Sequence, residues 1–309
     1  MSEGGAPADR PQSTRLAILI PFALVTLIWG STWIVIRDQI GTVPPSWSVT
    51  YRFLVAGVAM LGYAIARGER PWFDARGWGF AGLLGLLQFC LNFNFVYRAE
   101  AHITSGVVAV VFALLLVPNA LFGRLFLGQQ LGRQLLVGCG VAMAGVTLLF
   151  VHEARRDPHG MGEAAMGVGL TLAGVLAASL ANIMQATQAA RAYPMAAMLG
   201  VAMLFGASLD GAIAWSLTGA PAFEWRANYV LGILYLGLVA SAVAFTLYFG
   251  ILRVIGPAKA AYSSVIVPVI AMLLSTLFEG YRWSGLAAAG AVLALAGLVI
   301  ALRARRPNR

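Results

Sequence analysis

FLGQQLGRQLLVGCGVAMAGVTLL, residues 126–149, and LFEGYRWSGLAAAGAVLALAGLVIAL, residues 277–302, are two versions of one segment, and their recurrence decides the fold. Each opens with polar residues and then stays apolar for about 20 residues, the length a helix needs to cross hydrocarbon. Gly138 and Gly145 in the first copy match Gly290 and Gly297 in the second at an offset of 152. Small residues spaced in this way let helix backbones approach closely, so these two segments read as packing helices set away from any pathway. Working outward, Pro118 and Pro268 are 150 apart, and Tyr97 and Tyr248 are 151 apart.

The same arithmetic extends to the whole chain. Ten apolar stretches are expected to span, approximately Leu16–Ile36, Ser46–Ala66, Trp78–Tyr97, Ile103–Leu125, Leu131–Val151, Met166–Gln188, Met195–Leu217, Tyr229–Leu252, Ala258–Phe278 and Trp283–Leu302. The longest polar interruption, HEARRDPHGMGEAA at 152–165, separates five spans from five. With an odd number of spans per half, the second half must enter the membrane upside down relative to the first, the plan of many secondary transporters. The expected organisation is a disordered tail (1–14), a first five-helix repeat (15–151), an external linker (152–165), a second repeat (166–302) and a basic tail (303–309). The fold class is therefore an all-α membrane protein, two inverted five-helix repeats around a central cavity. The first apolar segment is too long for a signal-peptide core and ends in Arg37 and Asp38 without a small-x-small site, so it should remain as a helix.

Composition agrees. Of 309 residues, 60% are apolar and only 11% charged, against about 25% charged in an ordinary soluble domain. The net charge of +9 is distributed between apolar runs, which marks membrane orientation and not a nucleic-acid footprint. Ten spans place fourteen basic residues on the face that holds both termini and six on the other, with Arg52 inside a span. Both termini are thus expected in the cytoplasm. Cys90 and Cys139 fall in separate apolar segments and read as free thiols.

These two runs, together with LIWGSTW at 27–33 and the single arginine of PSWSVTYRFLVAG at 45–57, resemble the ten-helix EamA branch of the drug/metabolite transporter superfamily. The resemblance covers the chain after Arg15, with YddG-like aromatic amino-acid exporters the leading comparison. It implies that spans one to four and six to nine line a cavity. Gln129 stands where the branch often carries Glu at the end of span four, and Glu279 is displaced by two positions in the second half.

Polar side chains inside a bilayer are costly unless paired or facing water, so their helical faces point to candidate substrate contacts. Gln88 and Asn92 are one turn apart in span three. Ser179, Asn182 and Gln185 recur at three-residue intervals in span six, and Ser241 and Tyr248 lie two turns apart in span eight. Bonding between helices is the alternative for each. Trp29 is a candidate for stacking on a substrate side chain, whereas Trp33, near the outer end of span one, is expected in an interfacial aromatic belt. Pro118 and Pro268 form a candidate paired hinge. Arg52 lies seven residues into span two, placed for a substrate carboxylate or for structural pairing, with Asp210 of span seven as the candidate partner and outer gate.

Enzyme readings find little support. His102, His152 and His159 lack metal spacing, the Gly206-Ala207-Ser208-Leu209 fragment has no following histidine as base, and there is no phosphate-binding loop. No metal or cofactor is expected. The expected partners are a small-molecule substrate and the lipid bilayer, not nucleic acid, and the chain is expected as a monomer or weak homodimer. The function expected is inner-membrane export of small metabolites, amino acids first, by alternating access and facilitative uniport. Proton-coupled antiport and a polar-lined channel are the alternatives.

Overall fold

A computed structural model of the chain describes residues 12–156, 161–255 and 263–303. Its principal helices are α1 (Gln12–Gln39), α2 (Pro45–Ala66), α3 (Ala75–Ala99), α4 (Ser105–Leu127), α5 (Arg133–Arg156), α6 (Met161–Ala186), α7 (Met195–Thr218), α8 (Ala227–Tyr248, continuing to Ile255), α9 (Ser263–Phe278) and α10 (Gly285–Leu302). Among the described residues, eight helices are long and apolar enough to cross a membrane. The shorter apolar stretches Val265–Phe278 and Gly285–Ala301 occupy the places of the ninth and tenth spans. Helices are the natural outcome here, because in hydrocarbon each backbone polar group must find its partner within the segment.

Local chemistry fixes several boundaries. Pro45 opens α2, where its missing N–H is not needed. The Asp74 carboxylate accepts from the Gly77 N–H at 2.8 Å to start α3, and the Ser284 hydroxyl accepts from the Ala287 N–H at 3.1 Å to start α10. Gly128 ends α4 with φ of 64°, a conformation few side chains tolerate. Two limits differ from the sequence reading. Helical residues begin at Gln12, inside the expected tail, and α5 and α6 extend into the expected linker as far as Arg156 and back to Met161. The remainder of both tails and residues 157–160 of the linker lie outside the described residues.

The two halves interlock by equivalent pairs. α2 packs on α7, α5 on α10, α1 on α9 and α4 on α6. The α5–α10 seam is the tightest. A Cβ added at Gly145 would sit 2.2 Å from the Ala294 nitrogen, and one at Gly297 would sit 2.2 Å from the Ala142 nitrogen. Backbone therefore meets backbone through the four glycines that the repeat pairs.

A second symmetry was not visible in the sequence. α3 widens into a π-helical segment at Gly85–Leu91 and α8 does so at Tyr235–Val243, beginning at repeat-equivalent residues. In α8 the Ser241 hydroxyl donates to the Leu236 carbonyl five residues back, at 2.8 Å. Gly85 lies against the Ala202 carbonyl of α7, and Gly237 against the Arg52 carbonyl of α2. Each widened turn thus presses a glycine onto the opposite half.

The two prolines are not matched in backbone form. α4 tightens to a 3-10 turn at Ala113–Leu115 just ahead of Pro118, whose missing N–H leaves the Leu114 carbonyl without its helical donor. Pro268 sits within the helical run Ser263–Phe278. Trp33 corrects its expectation. It is buried, with its ring 5.6 Å from Phe112 of α4, because α1 turns this face inward and not to the interface.

Candidate functional site

Between the halves runs a chain of aromatic rings. Trp29 of α1 donates its indole N–H to the Ala240 carbonyl in the π segment of α8, at 3.1 Å. Its ring lies 4.9 Å from Tyr248 and 5.6 Å from Phe245. Phe245 meets Phe89 of α3 at 5.8 Å, Phe89 meets Phe53 of α2 at 5.1 Å, and Phe53 meets Phe93 at 4.8 Å. The chain ends under a charge, for the Arg52 guanidinium lies 4.3 Å from the Phe93 ring centre. Offset and edge-on rings at these spacings attract one another beyond simple area burial.

Around that end the polar groups of both halves gather. Arg52 donates from Nε to the Ser241 hydroxyl at 3.2 Å, and the residue is 2% exposed. Ser31 of α1 shares a 2.6 Å hydrogen bond with the Tyr235 hydroxyl, and Ser48 shares one of 2.9 Å with the Tyr229 hydroxyl. A further relay runs from Arg98 Nη2 to Ser46 Oγ at 3.1 Å, on to Asn94 Oδ1 at 2.5 Å, and from Asn94 Nδ2 to Asp210 Oδ1 at 2.5 Å. The expected Arg52–Asp210 pair is therefore not formed. The Asn94 amide takes Asp210 instead, because Asn94 projects from α3 directly between α2 and α7.

The amide stripe of α3 faces α6. Asn92 Nδ2 donates to the Gln88 carbonyl at 3.4 Å, while its Oδ1, buried, has no hydrogen-bond partner. A Cβ at Gly174 of α6 would come within 3.3 Å of that oxygen. Ser179 is fully buried on α6 with its hydroxyl unpartnered, and Asn182 and Gln185 are half-buried beyond it. Asn182 is eight residues past Gly174, about 12 Å along the helix, so the two asparagines stand at different depths. Ser241 and Tyr248, on α8, both join the central seam through Arg52 and Trp29.

The end of the bundle where α3 passes into α4 is tied by carboxylates. Glu279, after α9, accepts from the Ser105 N–H at 3.1 Å, from the Ser275 hydroxyl at 3.0 Å and from the Ser105 hydroxyl. Glu100 is fully buried, its backbone carbonyl bonded by Arg37, and both of its carboxylate oxygens lack a hydrogen-bond partner. Gln129, just past the end of α4 and two positions out of register with Glu279, instead folds back on Gly123 of that helix.

Two surface concavities lie away from this seam. One of about 350 Å3 is lined by Leu61, Trp72, Trp78, Leu204 and Phe205, and one of about 410 Å3 by Arg124, Gly128, Gln129 and Gln130. Cys90 and Cys139 are buried and free. Sequence reasoning missed Phe53, Phe89, Phe93, Phe245 and the Ser31–Tyr235 bond. A signal for two of the rings was present, since Phe89 and Phe93 each follow a residue of the Gln88/Asn92 stripe and so form a second stripe beside it.

The sequence profile of the EamA-like transporter family matches residues 16–151 and again residues 165–303. The Salmonella typhimurium protein PagO is 24% identical over 275 residues, covering 87% of this chain and 88% of its own length. The inner membrane transporter YedA of Escherichia coli, described as uncharacterized, is 29% identical over 271 residues, covering 84% and 81%. A Salmonella typhimurium protein named a probable amino-acid metabolite efflux pump is 27% identical over 306 residues, covering 93% and 96%. A solved crystal structure superposes with a TM-score of 0.66 at 22% identity, covering 94% of this chain and 98% of the other, a likeness of fold.

Proposed function

The chain belongs to the EamA-like transporter family, and from that premise we propose that this multi-pass inner-membrane transporter exports amino acids, aromatic or other neutral ones, by alternating access. The observation that supports this reading is the seam itself: rings from α1, α2, α3 and α8 lead to one buried cation, so apolar and charged recognition are offered side by side. Relatives named as probable amino-acid metabolite efflux pumps point the same way. Trp29, Gln88, Asn92, Ser179, Asn182, Gln185, Ser241 and Tyr248 are the proposed substrate contacts. Both termini are cytoplasmic, and the chain works in the bilayer as a monomer or weak homodimer, as a carrier and not an enzyme.

Transport is facilitative in this proposal, with Asp210 bonded to Asn94 in a structural relay and not serving as a carrier of protons. A panel of radiolabelled amino acids in proteoliposomes tests it. Saturable uptake with mutual competition among related amino acids is expected, whereas no uptake of any, or unsaturable flux, refutes the proposal. One observation favours a second reading, proton-coupled antiport: a buried carboxyl with neither oxygen bonded, as at Glu100, is more stable holding a proton than a charge. Accumulation driven by an imposed pH gradient and lost in Glu100→Gln selects that reading.

A further inference from the structure

A guanidinium buried in a membrane protein either reaches water by its long stem or is matched by an acid. Arg52 does neither. It is 2% exposed, and among the described residues no ion pair links it to Asp210, which bonds Asn94, or to Glu100, whose carboxylate oxygens bond nothing. Of the phenols near it, the Tyr97 hydroxyl donates to Gln39 at 3.0 Å and stands within hydrogen-bonding reach of the guanidinium, while the Tyr235 hydroxyl shares a bond with Ser31. Its Nε is committed to Ser241, and the face of the group rests on Phe93 at 4.3 Å. Those two contacts fix the plane of the fork from α8 and α3, and they leave Nη1 buried without a hydrogen-bond partner. Stacking on a ring offsets part of the cost of burying such a charge, but it supplies no acceptor for Nη1.

We propose that Arg52 is the carboxylate subsite of the carried solute, so that the protein selects small carboxylates whose apolar body lies along the Phe93, Phe53 and Phe89 rings. This rests on the carrier reading above and deepens it. Arginine suits the task because its planar fork matches a carboxylate in two parallel bonds, and pre-orientation by Ser241 and Phe93 reduces the ordering needed when the ligand arrives. Besides any contact with the solute, Ser241 and Phe93 then orient the guanidinium.

The test compares an amino acid with its amide and its methyl ester as competitors of uptake in proteoliposomes, alongside thermal stabilisation of the detergent-purified full chain by each compound. Wild type should favour the acid by about tenfold or more, the scale of a hydrogen bond to a charged group. Arg52→Gln should bring acid and amide to parity, and Arg52→Lys should restore only part of the preference. Ser241→Ala should raise KM for the acid with little change in kcat. If Arg52→Gln does not fold, the wild-type comparison still decides, because equal stabilisation by acid and amide overturns the subsite. A folded Arg52→Gln that keeps the wild-type ratio overturns it as well. Absence of wild-type uptake for every amino acid tells against the export reading, and is separable from uptake in which acid and amide are carried alike.

Discussion

Replacing Gly145 by alanine tests the claim that α5 and α10 are scaffold and lie off the pathway. The added Cβ would lie 2.2 Å from the Ala294 nitrogen, 2.6 Å from the Gly290 carbonyl oxygen and 2.8 Å from the Ala294 Cα. All three are backbone atoms, so no side-chain rotation relieves the contact. The two helices must separate by about 1 Å, in an interior packed as densely as an organic crystal. That separation also opens the neighbouring contacts of Gly138 and Gly297, which belong to the same seam. Overpacking costs about 1–3 kcal/mol, and a backbone-to-backbone clash belongs at the upper end. Gly140 of the same helix provides the control, because nothing lies within 4 Å of its Cβ position. Alanine there should instead gain about 0.5–1 kcal/mol of helix stability. Reversible unfolding in mixed micelles, followed by helicity, should therefore separate the two variants by about 1.5–4 kcal/mol, taking the two ranges together. KM for the carried solute should be unchanged in both. Equal unfolding of the two variants would refute the packing argument, and an altered KM in Gly145→Ala alone would place α5 on the pathway.

Three further outcomes are expected. Asn92→Leu and Asn182→Leu should each reduce transport affinity by about tenfold while the protein stays inserted, and wild-type kinetics in both would leave these amides as helix-to-helix contacts. In a chain with Cys90 and Cys139 replaced, an impermeant thiol reagent on intact cells should label Arg155→Cys and not Ser2→Cys, and the reverse pattern overturns the orientation read from charge. At the opposite end of the bundle, the Tyr193 hydroxyl and then the Gly77 N–H hold the Asp74 carboxyl below its ordinary value of 3.8. A carboxyl lowered on folding stabilises the protein above its unfolded value and loses that contribution as pH falls through the folded one. The gap in unfolding temperature between wild type and Asp74→Asn should therefore be constant above about pH 4 and close below it; a gap that persists at pH 2 contradicts the assignment.

The spans, the repeat and the glycine seam were legible because each rests on spacing within one segment. Gly138, Gly145, Gly290 and Gly297 announce themselves by their offset, and the structure places them backbone to backbone. Which face of a span turns inward is a different question. Lipid-facing and core-facing residues are both apolar in a membrane protein, so hydrophobic periodicity carries little information about it. Trp33 illustrates the loss: its place near a span end resembled an interfacial anchor, yet it packs on Phe112 in the interior. The π segments were equally hidden, because they depend on tertiary contacts of Gly85 with Ala202 and of Gly237 with Arg52. Asp210 went to Asn94 and not to Arg52 for the same reason, since the deciding neighbour stood on a third helix.

Both ends of the bundle are tied across the two halves, and the ties differ in kind. At one end Glu279 of the second half holds the start of α4, and Arg226 bonds the Asp38 carboxylate at 3.0 Å, joining the α7–α8 loop to α1. At the other end Glu69 accepts from the Ala197 N–H at 3.1 Å and Asp74 accepts from the Tyr193 hydroxyl at 2.6 Å, joining the α2–α3 loop to the start of α7 and to the segment just before it. Each tie is a few hydrogen bonds at water-facing ends, where a single bond contributes about 0.5–1.5 kcal/mol net. That scale matters for alternating access, since a ligand shifts an equilibrium only by the difference in its affinity for the two states. Pairing a buried guanidinium that has no ion-pair partner with a carboxylate is worth more than one such bond. In the proposed mechanism, a solute that brings a carboxylate to Arg52 in one arrangement of the halves would therefore contribute differential binding toward release of the ties at one end. In that mechanism the widened turns of α3 and α8, where glycines of each half press on the other, would be the places of least resistance, because their hydrogen bonding already departs from the regular helix.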